Sequence, residues 1–492
     1  MFDLNNTLIN FNSEGRISSW KIRDAVEGVQ IFGGIGSGKT SGSGRTLALK
    51  YLLNGFGGLV LAAKADEKDL WENYCRQSGR LSDLIILEAG GKHHFNFLEY
   101  ESSDKDGNNS ITDNIVQVLK TVIRSSEEKS GGKSDDPFWE AALDMLIYNA
   151  IDLCRLAYGR VTISLLHDIV VSAPKRGQEK DIKTAFFKAH DTVQQKIIKL
   201  IDELHALYTE DEKENWGDPN LYEKIITDNL PDARLFQQVD QFFAEYYYNL
   251  SEKTRSIVDF SFSGFLFRLL KEPIYSLLCH HSSTFAPEDS LKGKIILLNL
   301  PVKTMYKVGR DCQVLFKYIW QRAMERRNIE VNDRPVFLWA DEAQHFLHEY
   351  DPEYQATARS SRIATVYISQ NLPNYNANMG GVKYEFRVKS FLGTLGTKIF
   401  HSNADIETNK YASELIGEGY REDNTQTVTV AGEFSSSQGS SYKLEKMVRP
   451  EEFIGLRCGG PLNNYAVEGF IHCQSVKFHD DLNFKKITFR QS

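Results

Sequence analysis

The chain lacks any apolar run approaching the ~18 to 20 residues that span a bilayer. Its start, MFDLNNTLINF, has no basic flank ahead of an apolar stretch. These absences argue against a membrane-spanning helix and an export signal, and the expected compartment is the cytoplasm. Cysteine is sparse: Cys75, Cys154, Cys279, Cys312, Cys458 and Cys473 are scattered without a CxxC pair, which points to reduced thiols rather than a disulfide frame or a zinc site. The run Cys279-His280-His281 does not change this, because adjacent residues rarely converge on one ion and no second ligand pair has suitable spacing. His93-His94 reads as a loop in the same way. An excess of positive charge is also missing. With a net charge of −8 and a pI near 5.9, no overall basic field advertises nucleic acid, although a locally basic surface can hide inside an acidic total. The clusters Lys175-Arg176 and Arg322 to Arg327 have acids nearby (Glu179, Glu325, Glu330) and read as solvated surface.

What is present is ordinary globular composition, 41% hydrophobic and 12% aromatic over 492 residues, enough for two or three domains with sizeable cores. Residues 28 to 40 read GVQIFGGIGSGKT, a short apolar strand running into G-x-x-x-x-G-K-T. This is a complete Walker A motif. Gly33 and Gly38 let the backbone wrap closely enough for its N–H groups to face a β-phosphate, and the following helix adds its positive end. The expected nucleotide-binding set is Gly33, Gly34, Ile35, Gly36, Ser37, Gly38, Lys39, Thr40 and Ser41, with Lys39 reaching the β and γ oxygens and Thr40 a magnesium ligand. Gly42 and Gly44 each weaken a helix by about 1 kcal/mol relative to alanine. The first turn is therefore expected to form only with nucleotide bound.

Residues 335 to 346, PVFLWADEAQHF, form an apolar run ending in two acids, as a buried parallel strand does when it delivers carboxylates at its C-terminal edge. That is the Walker B position. Asp341 is expected to hold hydrated magnesium and Glu342 to act as general base toward water. The adjacent glutamate favours an ATPase over a nucleotide switch or a small kinase. Ala364 to Ser369 reads as the neighbouring strand and ends in Gln370, 29 residues beyond Asp341. Gln370 is a candidate sensor of the γ-phosphate, with a surface strand-end amide as the alternative. In the segment ARSSRI, Arg359 and Arg362 are candidates for an arginine finger acting on an adjacent subunit, with plain surface arginines as the alternative.

Lys39 and Asp341 are about 300 residues apart, whereas a compact P-loop core needs on the order of 100 to 150 residues to reach its Walker B strand. Gly58 to Ala63, Leu84 to Glu88 and Lys294 to Leu300 read as further core strands. Between them lie long stretches of helical period such as PFWEAALDMLIYNAIDLCRLAYG and AFFKAHDTVQQKIIKLIDELHALY. The fold expected is α/β, a RecA-like P-loop nucleotide-binding domain with an inserted all-α domain. Its parts are 1–112 with Walker A, 113–290 all-α, and 291–492 with Walker B. Ser125 to Asp136 and Thr209 to Asn220 read as loops, and Glu422 to Tyr442 as a strand or hairpin arm with a flexible Ser/Gly loop.

With these motifs in place, the chain resembles the TraG/TraD-like coupling ATPases of type IV secretion and conjugation, within the FtsK-like and HerA-like ring motors. The resemblance runs over most of the chain. It includes LVLAAKADEKDL, where Lys64 and Asp66 match the family's D-P-K-G-E pattern but Ala62 replaces its aspartate. It also includes DPFWEAA, SEKTRSI before Phe260, ARSS, the SQN that ends the next strand, NADIETNKYASELIGEG and YKLEKMVRPEEFIGL. The resemblance implies an ATP- and Mg2+-dependent homo-hexamer with ATP between subunits, Arg359 acting across the interface, and single- or double-stranded DNA or a nucleoprotein in the channel. The helical domain would select cargo, and a relaxase, a nuclease or a secretion channel is an expected partner. Two departures matter: Arg362 stands where the family often has glycine, and no N-terminal membrane anchor is read in this sequence. A soluble motor, or one recruited by a partner, fits better than one docked directly to a membrane channel. A protein-recruiting or remodelling ATPase, and a nucleotide-gated assembly of a mobile-element or phage-defence system, are the alternatives.

Overall fold

The computed structural model describes residues 2–13, 16–103, 111–128, 137–176, 183–209, 216, 218–379, 384–431, 433–478 and 481–491. The chain folds as two compact units, Met1–Ile86 with Pro287–Ser492, and Leu87–Ala286. The architecture is α/β with an all-α insertion. Among the described residues no helix is long and apolar enough to cross a membrane.

The strands are β1 (Thr7–Ser13), β2 (Arg16–Lys21), β3 (Val29–Phe32), β4 (Gly57–Leu61), β5 (Leu84–Leu87), β6 (Ile295–Leu298), β7 (Val336–Ala340), β8 (Ile363–Ser369), β9 (Thr397–His401), β10 (Glu418–Ala431), β11 (Glu433–Lys446), β12 (Ala466–Cys473) and β13 (Phe484–Arg490). Nine form one sheet in the order β13-β12-β9-β3-β8-β7-β4-β6-β5. From β9 to β6 the pairing is parallel, and β12 and β13 add on antiparallel. The central strands β3, β4, β7 and β8 are buried along their whole length, which is why they read as continuous apolar runs rather than alternating ones.

From β3 the chain crosses to β4 on one side, and from β8 it crosses back over β3 to β9 on the other. A crevice opens at the carboxyl ends of the strands where such a sheet changes direction, and the Walker A segment leaves β3 there. Helix Arg45–Leu53 buries Leu47, Ala48, Tyr51 and Leu52. Tyr51 stacks on Phe56 at 4.9 Å and lies 6.5 Å from Trp20 of the β1–β2 hairpin, while Trp71 of helix Glu67–Gln77 stacks on Phe337 of β7 at 5.5 Å. This aromatic layer fixes the phosphate-loop helix against the sheet.

The second unit is helical after Leu87. Its helices are Phe97–Ser102, Ile111–Glu128, Pro137–Tyr158, Ile163–Val171, Ala185–Ala206, Pro219–Asn229, Pro231–Gln241 and Glu252–Leu269. Leu143, Leu146, Ile147, Ala150, Ile151 and Cys154 recur at helical spacing and form its buried stripe. Thr162 and Ser251 open their helices by accepting the N–H groups of Leu165 and Thr254 at 3.2 Å.

The sequence boundary at 112 and 113 lies inside this unit. Residues following β5 are tied to its far end, Phe95 N–H to Leu277 O at 2.8 Å and Asn96 N–H to Ser283 Oγ at 3.0 Å. At the other boundary, Ser290 accepts Trp320 Nε1–H at 2.9 Å and belongs with the sheet. Ser125 to Glu128 continue helix Ile111–Glu128 rather than forming a loop; residues 129–136 lie outside the described residues. So do 210–215 and 217 of the second expected loop, whose end already starts helix Pro219–Asn229. The Ser/Gly stretch is the second strand of a long β10–β11 hairpin, not a loop. Of the basic cluster, Arg327 is not solvated surface, since its guanidinium donates to the carbonyls of Arg334 (2.6 Å) and Ser361.

Candidate functional site

The loop from Gly33 to Lys39 caps β3, and the helix behind it starts as a π-helical turn, Thr40–Gly44, before continuing as Arg45–Leu53. Gly42 and Gly44 both lie inside this turn. The glycines answer to packing. At Gly38, where φ is +82°, a Cβ would come within 2.5 Å of Val467 on β12, and at Gly42 within 3.0 Å of the same side chain. Only a chain without side chains at both positions lets β12 lie against the phosphate loop.

Walker A and Walker B meet through one contact. Thr40 Oγ1 donates to Asp341 Oδ2 at 2.9 Å, across 301 residues of sequence. Asp341 is 3% exposed and Lys39 8% exposed. Burial raises the Asp341 carboxyl above its usual range, and neighbouring Glu342 adds to this, against the opposing charges of Lys64 and Lys39 and the Thr40 hydrogen bond.

Glu342 sits in the left-handed region, φ 50° and ψ 49°, a costly backbone for a residue with a Cβ. Asp341 Oδ1 supports it by accepting the Glu342 N–H at 2.9 Å. Its carboxylate is held between two amides. Gln344 Nε2–H donates at 2.9 Å and Gln370 Nε2–H at 3.2 Å. Lys64 Nζ stands 3.7 Å away. Burial works to raise the Glu342 pKa, but the two amide hydrogen bonds and the charges of Lys39 and Lys64 outweigh it and hold the group below its ordinary value. Ser369 Oγ–H donates to Gln344 Oε1 at 2.9 Å, and Asn403 Nδ2–H donates to Gln370 O at 2.8 Å. The end of β8 therefore braces the loop after β7.

Behind this layer is a third buried carboxylate. Glu67 accepts the backbone N–H groups of Ala63 and Lys64 at 3.1 Å, and burial followed by repulsion from Asp341 raises it well above the carboxylate range. On the opposite flank, His401 at the end of β9 bridges β12 and the phosphate-loop helix. Glu468 O lies 2.8 Å from Nδ1 and Ser43 Oγ 2.7 Å from Nε2. A carbonyl only accepts, so Nδ1 carries the proton and Nε2 accepts the serine O–H. Burial pushes the His401 pKa down to about 4.

The residues fit a nucleotide with magnesium. Ser37 Oγ is buried in the loop with no hydrogen-bond partner. Gly36 has φ +72° with nothing near its Cβ position, and Ile35 projects into open space. Thr40 and Asp341 supply one hydroxyl and one carboxylate, the sparse protein donor set of a magnesium ion that otherwise takes phosphate and water oxygens. Among the described residues no group of three or more His, Cys, Asp or Glu side chains is arranged to hold a metal.

Arg359 lies elsewhere. It follows helix Asp351–Ala358 just ahead of β8, at the sheet edge opposite the phosphate loop; its side chain is 69% exposed and pairs with Glu27 at 3.4 Å. Arg362 is structural: at φ 50° it donates to Phe2 O and Asp333 O at 2.9 Å. The positive φ explains why glycine suits this position in the resembled family. Sequence reading missed Gln344, Ser369, Glu67 and His401 as site residues. Gln344 and Ser369 were reachable, the first three residues after Asp341 in DEAQ and the second the serine of SQN; Glu67 and His401 have no local signature.

Comparison with known proteins agrees with the motifs. A family model described as the TraM recognition site of TraD and TraG matches residues 335–457. The bacterial conjugative coupling protein TrwBdeltaN70, unbound, is 14% identical with a TM-score of 0.60, covering 98% of this chain and 88% of that one. The plasmid coupling protein TrwB with the non-hydrolysable ATP analogue ADPNP gives 14% and 0.59, over 100% and 90%. The same protein with ADP and Mg2+ gives 12% and 0.54, again over 100% and 90%. At such identities the likeness is one of fold, and it covers the RecA-like domain and the all-α insertion together. No curated protein matches the sequence. The chain is thus TraG/TraD-like in its motifs and in the matched segment.

Proposed function

We propose that this chain is a magnesium-dependent ATPase of the conjugative coupling type, acting in the cytoplasm as a homo-hexameric ring that moves DNA or a nucleoprotein. The observation that carries the reading is the 2.9 Å contact between Thr40 and Asp341, with the Glu342 carboxylate held ionised beside it. Magnesium, when bound between Thr40 and Asp341, supplies charge neutralisation for the phosphates. Gly33 to Ser41 bind the phosphates through backbone N–H groups, and Lys39 places its charge at the β and γ oxygens. Glu342 accepts the proton of the attacking water. Gln370 already touches Glu342, so it orients that water against the carboxylate.

Arg359 is too far along β8 to serve its own chain's site, seven strand residues at about 3.3 Å each. Its exposure supports a role at the site of a neighbouring subunit, where it stabilises transition-state charge. The match of residues 335–457 to a partner-recognition model supports recruitment of a protein such as a relaxase to this part of the chain.

The test is steady-state ATP hydrolysis with and without single- and double-stranded DNA, at low and moderate salt, beside Glu342→Gln. Stimulation by DNA that falls with salt supports a motor contacting phosphates. Unchanged turnover favours a protein-recruiting ATPase, and a Glu342→Gln variant as fast as the wild type removes the catalytic assignment.

A further inference from the structure

The sheet order fixes the direction in which a bound nucleotide runs. Asp341, Glu342 and Gln370 follow β7 and β8, on one side of β3. The γ-phosphate end belongs there. The α-phosphate and the nucleoside then leave over Ser41, the residue after Thr40, toward the side of β3 that carries β9, β12 and β13.

A wall stands on that side. Gly469 of β12 pairs with His401, the last residue of β9, so Ala466 to Glu468 and their partners Thr488 to Arg490 extend past the sheet edge. Val467 touches the phosphate loop at Gly38 and Gly42. Above it, the loop from Gly459 to Tyr465 is held in a tight shape by positive φ at Gly459, Gly460, Asn464 and Tyr465 (82°, 74°, 51° and 56°). Its apolar side chains face solvent: Leu462 is 100% exposed and Tyr465 52%. Gln491 ties the loop to the nucleotide site. Its Nε2–H donates to Ser41 Oγ at 2.5 Å, its Oε1 accepts Gly460 N–H at 2.8 Å, and its backbone N–H donates to Tyr465 O at 2.9 Å.

We infer that Gln491 and the Gly459–Tyr465 loop form the base-binding wall of the nucleotide site, with Leu462 and Tyr465 offering an apolar face to a purine and the Gln491 carboxamide its polar reader. This deepens the ATPase reading and rests on it. A planar base needs apolar surface on one face and at least one polar group at its rim. Two exposed apolar residues on a loop anchored to Ser41 by a carboxamide supply both.

The experiment is calorimetric binding of MgATP and of inorganic tripolyphosphate to the full chain, for the wild type, Gln491→Ala, the double variant Leu462→Ser/Tyr465→Ser, and Lys39→Ala. Wild type prefers ATP, and both wall variants lose roughly tenfold in ATP affinity, as for one lost stacking or hydrogen-bonding contact. Their tripolyphosphate affinity stays at the wild-type value, which also shows that the variants are folded. Equal wild-type affinity for the two probes, or wall variants that keep the ATP preference while Lys39→Ala abolishes binding, overturns the base wall and leaves the ATPase reading intact. Binding of both probes that ignores Lys39→Ala overturns the ATPase reading and the wall with it.

Discussion

Replacing Lys317 with methionine tests how the loop behind the Walker B strand is held. Lys317 lies on helix Val302–Glu325, and its side chain and that of Asp351 are both fully buried. Lys317 Nζ–H donates to Asp351 Oδ2 at 2.6 Å and to Phe346 O at 2.9 Å. Asp351 also accepts Gln321 Nε2–H at 3.0 Å and His348 N–H at 2.8 Å. Burial lowers the Lys317 pKa; Asp351, despite its burial, is held below the carboxylate range by His348 and Lys317. Methionine matches the volume but strands a carboxylate in the core, and breaking one partner of such a pair costs about 3 to 5 kcal/mol. Lys317→Met/Asp351→Asn removes the charge yet keeps an acceptor for the His348 N–H, so it recovers at least half of that loss. The assay is urea denaturation followed by tryptophan fluorescence, which favours this unit because Trp20, Trp71, Trp320 and Trp339 lie in it. A single variant losing less than about 1 kcal/mol, the range of an exposed pair, or a double variant no better than the single one, refutes the reasoning.

Other outcomes follow from the site. Lys39→Ala weakens nucleotide binding severalfold or more, whereas Glu342→Gln retains it and loses hydrolysis by at least two orders of magnitude, as expected for removal of a general base; filter binding and phosphate release separate the two. Arg359→Ala abolishes turnover, and mixing it with Lys39→Ala subunits restores part of it at interfaces that combine an intact loop with an intact arginine. Well-mixed rings without recovery would contradict action between subunits. His401, with its pKa lowered to about 4 by burial, binds its proton more readily in the unfolded chain, so its contribution is full above pH 6.5 and fades as pH falls toward 4. Comparing denaturation of wild type with His401→Gln, the wild-type advantage shrinks by about 2 kcal/mol between pH 7 and pH 5; parallel profiles would show that His401 is not buried neutral.

Legibility in the sequence followed the range of each interaction. GGIGSGKT and WADEAQ are contiguous because each is one strand end and one turn, and the buried strands announced themselves as apolar runs. The insertion was visible as the excess length between Lys39 and Asp341. Its limits were not, because Phe95 and Asn96 are claimed by residues near 277 and 283, a pairing that no local pattern encodes. Gly42 and Gly44 looked like helix breakers because propensity describes an isolated helix. In the fold, Gly42 answers to Val467, 425 residues away in sequence. His401, Glu67 and Gln491 escaped for the same reason: each acts through partners that only the sheet brings together.

The amide clasp on Glu342 has a consequence for how this protein should respond to its medium. Gln344 and Gln370 are neutral donors, so their grip is neither lost as pH rises nor screened by added electrolyte, as the grip of exposed lysines would be. Added salt then reaches this carboxylate only through the charges of Lys64 and Lys39, and on the proposed reading a steeper salt sensitivity of turnover would point to a bound polyanion.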